Sequence, residues 1–178
     1  MDTLAHAVYG ATLFSRAGLS GGLRRRKDSS NGRALIDWTF WAACAFGILP
    51  DIASIGVYFA GSALAGEGIS FHGIPGYVFA LYNITHSLIV ASIALGVMRL
   101  VSRDLFVTAF AWPLHIAMDI FTHSRGRFQT PFLYPISDIS FDGISWWMHP
   151  WFVRVYWGLL PAIWICIAIA RRSRCNRY

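Results

Sequence analysis

Long apolar stretches separated by short polar ones dominate the chain. Five can be marked: Thr3 to Leu19, Leu35 to Ala60, Gly76 to Leu100, Leu105 to His123 and Trp146 to Ala170. A helix needs about 20 apolar residues to cross a bilayer core, which the last four stretches approach or exceed. The first, at about 17 residues, stands at the short limit and could span, re-enter or lie at the interface. In lipid every backbone polar group must be paired within the structure, which favours helices for such segments. The pattern therefore predicts an all-α, polytopic transmembrane bundle of four to five helices, forming a single integral membrane domain over residues 1–178. No internal repeat is evident. Asp2 stands where a secretory signal would carry positive charge, so the first segment is expected to stay in the mature chain.

Composition supports this picture. Hydrophobic residues make up 56% of the chain and charged residues 13%, against about 25% charged in soluble domains. The net charge of +6 would suggest nucleic acid in a soluble protein. Here the basic residues flank apolar runs, so the expected partners are membrane lipids and not nucleic acid. Their distribution is one-sided. The basic loop 20–34 holds five, the next turn has Arg99 and Arg103, and the tail 171–178 holds four, eleven together. The opposite connections hold only Arg125 and Arg127, and the stretch around Glu67 and His72 has no Lys or Arg. The positive-inside rule then predicts an external N-terminus, an external Ser62–Pro75 loop and a cytoplasmic C-terminus. Tryptophans gather toward segment ends, as in interfacial aromatic belts. The cysteines Cys44, Cys166 and Cys175 form no CxxC pair and read as small buried hydrophobes.

Against this background the ionisable residues inside the apolar segments stand out. An ionisable side chain at the bilayer centre costs about 2.5–3.5 kcal/mol on insertion scales, so such residues are functional candidates. They are His6, Asp51, His86, His115, Asp119 and His123. His115, Asp119 and His123 recur every fourth residue, which places them on one stripe of a helix. A His and an Asp one turn apart can reach one cation, or the Asp can simply orient a neutral imidazole. Asp51 follows Pro50, which frees backbone to line a cavity. Counted from the segment ends, Asp51, His86 and His115 share one depth, with His6, Asp119 and His123 nearer the outside. The predicted cluster is a divalent metal site, zinc being the expected ion, because His nitrogen and Asp oxygen both suit it. Asp37 is expected to pair with the basic loop, and His72 and His149 to be ordinary interfacial residues.

The motifs Asp2-Thr3-Leu4-Ala5-His6, Leu49-Pro50-Asp51, Thr85-His86-Ser87, Leu114-His115-Ile116-Ala117-Met118-Asp119 and Thr130-Pro131-Phe132-Leu133-Tyr134-Pro135 follow in order. In that order they resemble the membrane-bound metal-dependent hydrolases of the YdjM type, over roughly residues 1–145. The resemblance implies a helical bacterial inner-membrane protein with a polar signature at His6, Asp51, His86, His115 and Asp119. Many members carry a further His five residues before the Thr-His-Ser histidine. Here that position is Leu81, so one ligand is missing or is supplied by His123.

The function expected from these readings is metal-dependent hydrolysis of an ester or phosphoester in a lipid-like substrate. The cation would polarise a phosphoryl or carbonyl oxygen and acidify water. Asp51 or Asp119 would act as general base, and Arg125 and Arg127 would hold a phosphate. A metal-ion or proton transporter is the alternative from another class, and a metal-stapled structural protein the third. The sequence specifies neither substrate nor oligomeric state.

Overall fold

The computed structural model describes residues 1–23, 37–68, 70–71, 73–126 and 128–175. Most of the basic loop 20–34, His72, Arg127 and the last three residues of the tail thus lie outside the described residues. Among those described, the secondary structure is helical and no strand occurs.

Helix α1 (Thr3–Phe14) begins at an Asp2 cap, whose carboxylate accepts from the Ala5 amide at 2.8 Å. Its twelve residues measure about 18 Å, too short to cross a bilayer. It is nonetheless the helix most enclosed by the others: Ala5, His6, Ala7, Gly10, Ala11 and Thr12 are buried. Small residues make this possible by letting backbones approach. A Cβ on Gly47 of the neighbouring helix would lie 2.6 Å from the His6 carbonyl oxygen, and one on Gly10 would lie 2.9 Å from that of Ala43. The first apolar segment is therefore an interior helix, followed by a short turn of helix α2 (Leu19–Leu23).

Helix α3 (Trp38–Asp51) runs through one π-helical turn, Ile52–Gly56, into α4 (Val57–Leu64), giving a continuous 27-residue rod. Asp37 caps its start, accepting from the Thr39 amide at 3.0 Å; its expected partners in the basic loop lie outside the described residues. Pro50 cannot donate a backbone N–H. Its own carbonyl accepts from Ser54 Oγ at 2.6 Å and Thr85 Oγ1 at 3.1 Å. The widened turn begins immediately after Asp51.

The third apolar segment is broken. Helix α5 (Gly76–Thr85) and helix α6 (Leu88–Val101) meet at 55° across His86 and Ser87. Ser87 caps α6, and the freed Leu88 amide donates to the Phe132 carbonyl at 2.9 Å. The fourth segment comprises α7 (Arg103–Ala109) and α8 (Ala111–Thr122), nearly coaxial across Phe110. The fifth becomes α9 (Pro150–Cys175), starting after the expected Trp146, which lies in a 3-10 turn.

Three of these rods are long and apolar enough to cross a membrane: Trp38–Leu64, Arg103–Thr122 and Pro150–Ser173, or four if the bent α5–α6 pair counts as one span. One end of the bundle is tied by Arg16. Its guanidinium pairs with Asp104, its amide donates to Thr39 Oγ1 at 3.0 Å, and its carbonyl accepts from Arg171 at 2.9 Å. The end of α1, the starts of α3 and α7 and the end of α9 therefore lie together.

Two details differ from the sequence reading. Trp112, Trp157 and Trp164 each donate an indole N–H inward, to Thr85 O, Asp2 Oδ2 and Thr12 Oγ1. They fasten helices, while Trp38, Trp41 and Trp151 are exposed as a belt requires. Cys166 is exposed and Cys44 only half-buried, so neither is a deeply buried hydrophobe; the environment of the Cys175 side chain lies outside the description.

Candidate metal centre

Three parts of the fold converge on one point. The last residue of α3 is Asp51, the break between α5 and α6 presents His86, and α8 presents His115 and Asp119 one turn apart. Asp51 is equally far in sequence from Trp38 and Leu64, about 20 Å from each end, so the site lies near the middle of that rod.

The tautomers are fixed by carbonyl oxygens. His115 Nδ1 donates to Gly47 O at 2.6 Å, and His86 Nδ1 to Tyr82 O at 3.0 Å. A neutral imidazole carries one proton, so both Nε2 atoms are left as lone-pair acceptors. They lie 3.1 Å apart. His115 Nε2 is 3.1 Å from Asp119 Oδ2 and 3.6 Å from Asp51 Oδ1. His86 Nε2 is 3.5 and 3.7 Å from the same two oxygens. A tetrahedral ion with bonds of about 2.0–2.2 Å spaces its ligands about 3.3–3.6 Å apart. The separations that involve a histidine nitrogen, 3.1–3.7 Å, lie close to that spacing, and all four atoms lie within 4.8 Å of one another. Asp51, His86, His115 and Asp119 could therefore hold a metal ion.

Burial divides the set. His86, His115 and Asp119 are at most 1% exposed, whereas Asp51 is 18% exposed. Asp51 opens onto a cavity of about 690 Å³ lined mainly by apolar side chains, among them Ile52, Ile55, Phe59, Phe128 and Trp147. Its polar lining includes Thr3 and His123. Thr3 Oγ1 donates to Asp51 Oδ2, leaving Oδ1 toward the histidines.

His6 and His123 stand beside this quartet, around the other oxygen of Asp119. His6 Nε2 is 2.9 Å and His123 Nδ1 3.3 Å from Asp119 Oδ1. The expected depth difference between His6, Asp119 and the remaining residues thus closes into direct contact. His123 terminates α8 in an extended conformation and still reaches Asp119. Arg125 is exposed, its amide held by Asp142 at 2.8 Å, and it does not line the cavity. The second proposed phosphate ligand, Arg127, lies outside the described residues. His149 is exposed against Trp151.

Sequence reasoning missed the supporting residues. Tyr82 stacks on His86 with ring centroids 3.7 Å apart, and its hydroxyl reaches Phe128 O at 3.2 Å. Gly47 supplies both the carbonyl for His115 and the clearance for α1. Their only signal was position: each precedes a ligand by four residues, one helical turn. No family model, no curated protein and no solved structure matches the chain.

Proposed function

We propose that the chain is a membrane-embedded, metal-dependent hydrolase of an ester or phosphoester in a lipid-like substrate. One observation carries the reading: two imidazole lone pairs and two carboxylate oxygens face one another, with both imidazole protons committed elsewhere. Three buried acceptors and a partly exposed fourth repel; a shared cation relieves all of them at once. Zinc suits this donor set, and a divalent ion there supplies Lewis-acid polarisation of a substrate oxygen.

The chain's own groups divide the remaining work. Tyr82 O and Gly47 O hold the histidine tautomers and ring orientations. Asp51, the most accessible of the four and oriented by Thr3, is placed to take a proton from water entering the cavity. The apolar cavity walls suit a hydrocarbon portion of the substrate. The exposed faces of α6 and α9, with Ile93, Val97, Leu100, Ile165 and Ile169 outward, suit a lipid surround. The Lys and Arg asymmetry favours a cytoplasmic Arg16–Arg171 end and an outward-opening cavity in a bacterial inner-membrane protein. The ordered motifs that resemble the YdjM-type hydrolases favour the same reading.

Metal analysis and a substrate screen test it on the detergent-purified chain. His115→Ala and Asp119→Ala should each lower bound metal while the protein still inserts. Asp51→Asn should keep much of the metal and lose about 10²–10⁴-fold in rate on whichever phospholipid or generic phosphoester the wild type cleaves. Wild-type metal content in both alanine variants would show the site to be misplaced. A metal-loaded wild type inert across the panel would overturn hydrolysis in favour of a structural metal. Ion flux into proteoliposomes would overturn it in favour of transport.

A further inference from the structure

The four-residue set uses only one oxygen of Asp119. Oδ2 faces His86 and His115 at 3.5 and 3.1 Å. Oδ1 has its own neighbours: His6 Nε2 at 2.9 Å, His123 Nδ1 at 3.3 Å, the Met1 nitrogen at 2.7 Å and Thr122 Oγ1 at 3.4 Å.

His6 is fully buried, yet neither of its ring nitrogens makes a hydrogen bond, and neither does His123 Nδ1. The close approaches to Oδ1 are out of line for N–H donation. Buried polar atoms are nearly always partnered, so two orphaned ring nitrogens beside one carboxylate oxygen call for an account. Packing holds them there: His6 stacks on His115 with centroids 3.7 Å apart. The 3.3 Å between His123 Nδ1 and the carboxylate oxygen is the spacing of ligands sharing an ion, and the 2.9 Å from His6 Nε2 is a few tenths of an ångström shorter.

We infer that Asp119 bridges two divalent cations, Oδ2 ligating the ion of the four-residue set and Oδ1, with His6 Nε2 and His123 Nδ1, holding a second. The Met1 nitrogen is the group that ligation at Oδ1 displaces, leaving its contact with Thr122 Oγ1 at 2.6 Å. His123 also lines the cavity, so the second ion lies at the substrate's entrance. Ion pairs about 3.5–4 Å apart stabilise both the attacking and the leaving oxygen in displacement at phosphorus. Of the ester and phosphoester substrates proposed above, the bridged pair therefore favours the phosphoester. This inference rests on the proposed function for its first ion.

The full chain in detergent, stripped by chelation and reloaded with Zn²⁺ or Mn²⁺ alone, provides the test. The wild type should take up about two ions per chain, and its manganese form should give the exchange-coupled spectrum of a close pair. His6→Gln and His123→Gln should each halve the metal content and leave an uncoupled manganese signal. One ion per chain with an uncoupled spectrum in the wild type would overturn the second site and leave the first standing. No bound ion would overturn both readings. Should His6→Gln fail to fold, the wild-type spectrum and His123→Gln, at a residue 12% exposed, decide the matter.

Discussion

Helices α1 and α9 invert the relation that hydropathy suggests between length and importance. Helix α9 is 26 residues long and largely apolar, with Trp151, Val155, Leu159, Ile165 and Ile169 exposed. Helix α1 has twelve residues and a histidine at its fourth position, yet it is packed against α3, α8 and α9. The long helix faces outward because lipid tolerates any apolar side chain. The short one can occupy the centre because alanines and glycines let its backbone touch its neighbours. Site construction follows the same division. His115 and Asp119 come from the regular helix α8, but the rest of the cluster stands where regular helix fails: Asp51 just before a π-turn, His86 at a 55° break, His123 at the end of α8. Helix α9 gives the four-residue set no ligand and reaches the interior through Tyr156, Trp157 and Trp164.

The strongest test of this contrast is Gly47→Ala. The added methyl would lie 2.6 Å from the His6 carbonyl oxygen and 3.2 Å from Ala7 Cα, against backbone that cannot rotate away. Overpacking of this kind costs about 1–3 kcal/mol, and thermal unfolding in detergent should fall by several degrees. Metal content should fall too, because the Gly47 carbonyl orients His115. An unchanged melting temperature with full metal content would mean that α1 and α3 are not closely packed.

The second test targets the seam between the two helices. Trp164 Nε1 donates to Thr12 Oγ1 at 2.9 Å, and Thr12 is fully buried. Trp164→Phe keeps most of the ring and strands that hydroxyl, for a loss of about 1 kcal/mol. Metal content should not change, since neither residue approaches the cluster. A variant that melts normally but binds less metal would show that α9 is coupled to the site.

How much of this was legible in the sequence divides along the same line. Apolar runs specify outward helices directly, so the rods Trp38–Leu64 and Pro150–Ser173 lie close to their expected bounds. The membrane cost of ionisable groups singled out Asp51, His86, His115 and Asp119, because each is out of place in an apolar run. Residues that are apolar or small escape that filter. Gly47 and Tyr82 act through backbone carbonyls, which every residue carries, so nothing in their identity marks them. The break at His86 was hidden because Ser87 restarts a helix within two residues and the apolar run never lapses. Depth counted from segment ends separated Asp119 from Asp51. In the structure α8 and the α3 rod bring them together, since packing, and not distance along each helix, sets which residues meet.

The smallest expected effect comes from Gly158→Ala on α9, and its sign is opposite. A methyl at Gly158 meets nothing within 4 Å, and the residue is exposed in mid-helix. Alanine there restricts the backbone without a clash, and helical glycine is less favourable than alanine by about 0.5–1 kcal/mol. Thermal unfolding in detergent should therefore be unchanged or rise by a few degrees, with metal content as in the wild type. Paired with Gly47→Ala, the variant adds the same atom to two helices and asks only what surrounds each glycine. Small residues on apolar helices are also where helices pack closely in membranes. A drop in stability at Gly158 comparable to that at Gly47 would thus place protein, from a second copy, against the outer face of α9. A shift in oligomeric state by light scattering would have to accompany that drop; without it, a local bend at Pro161, three residues on, becomes the explanation to pursue.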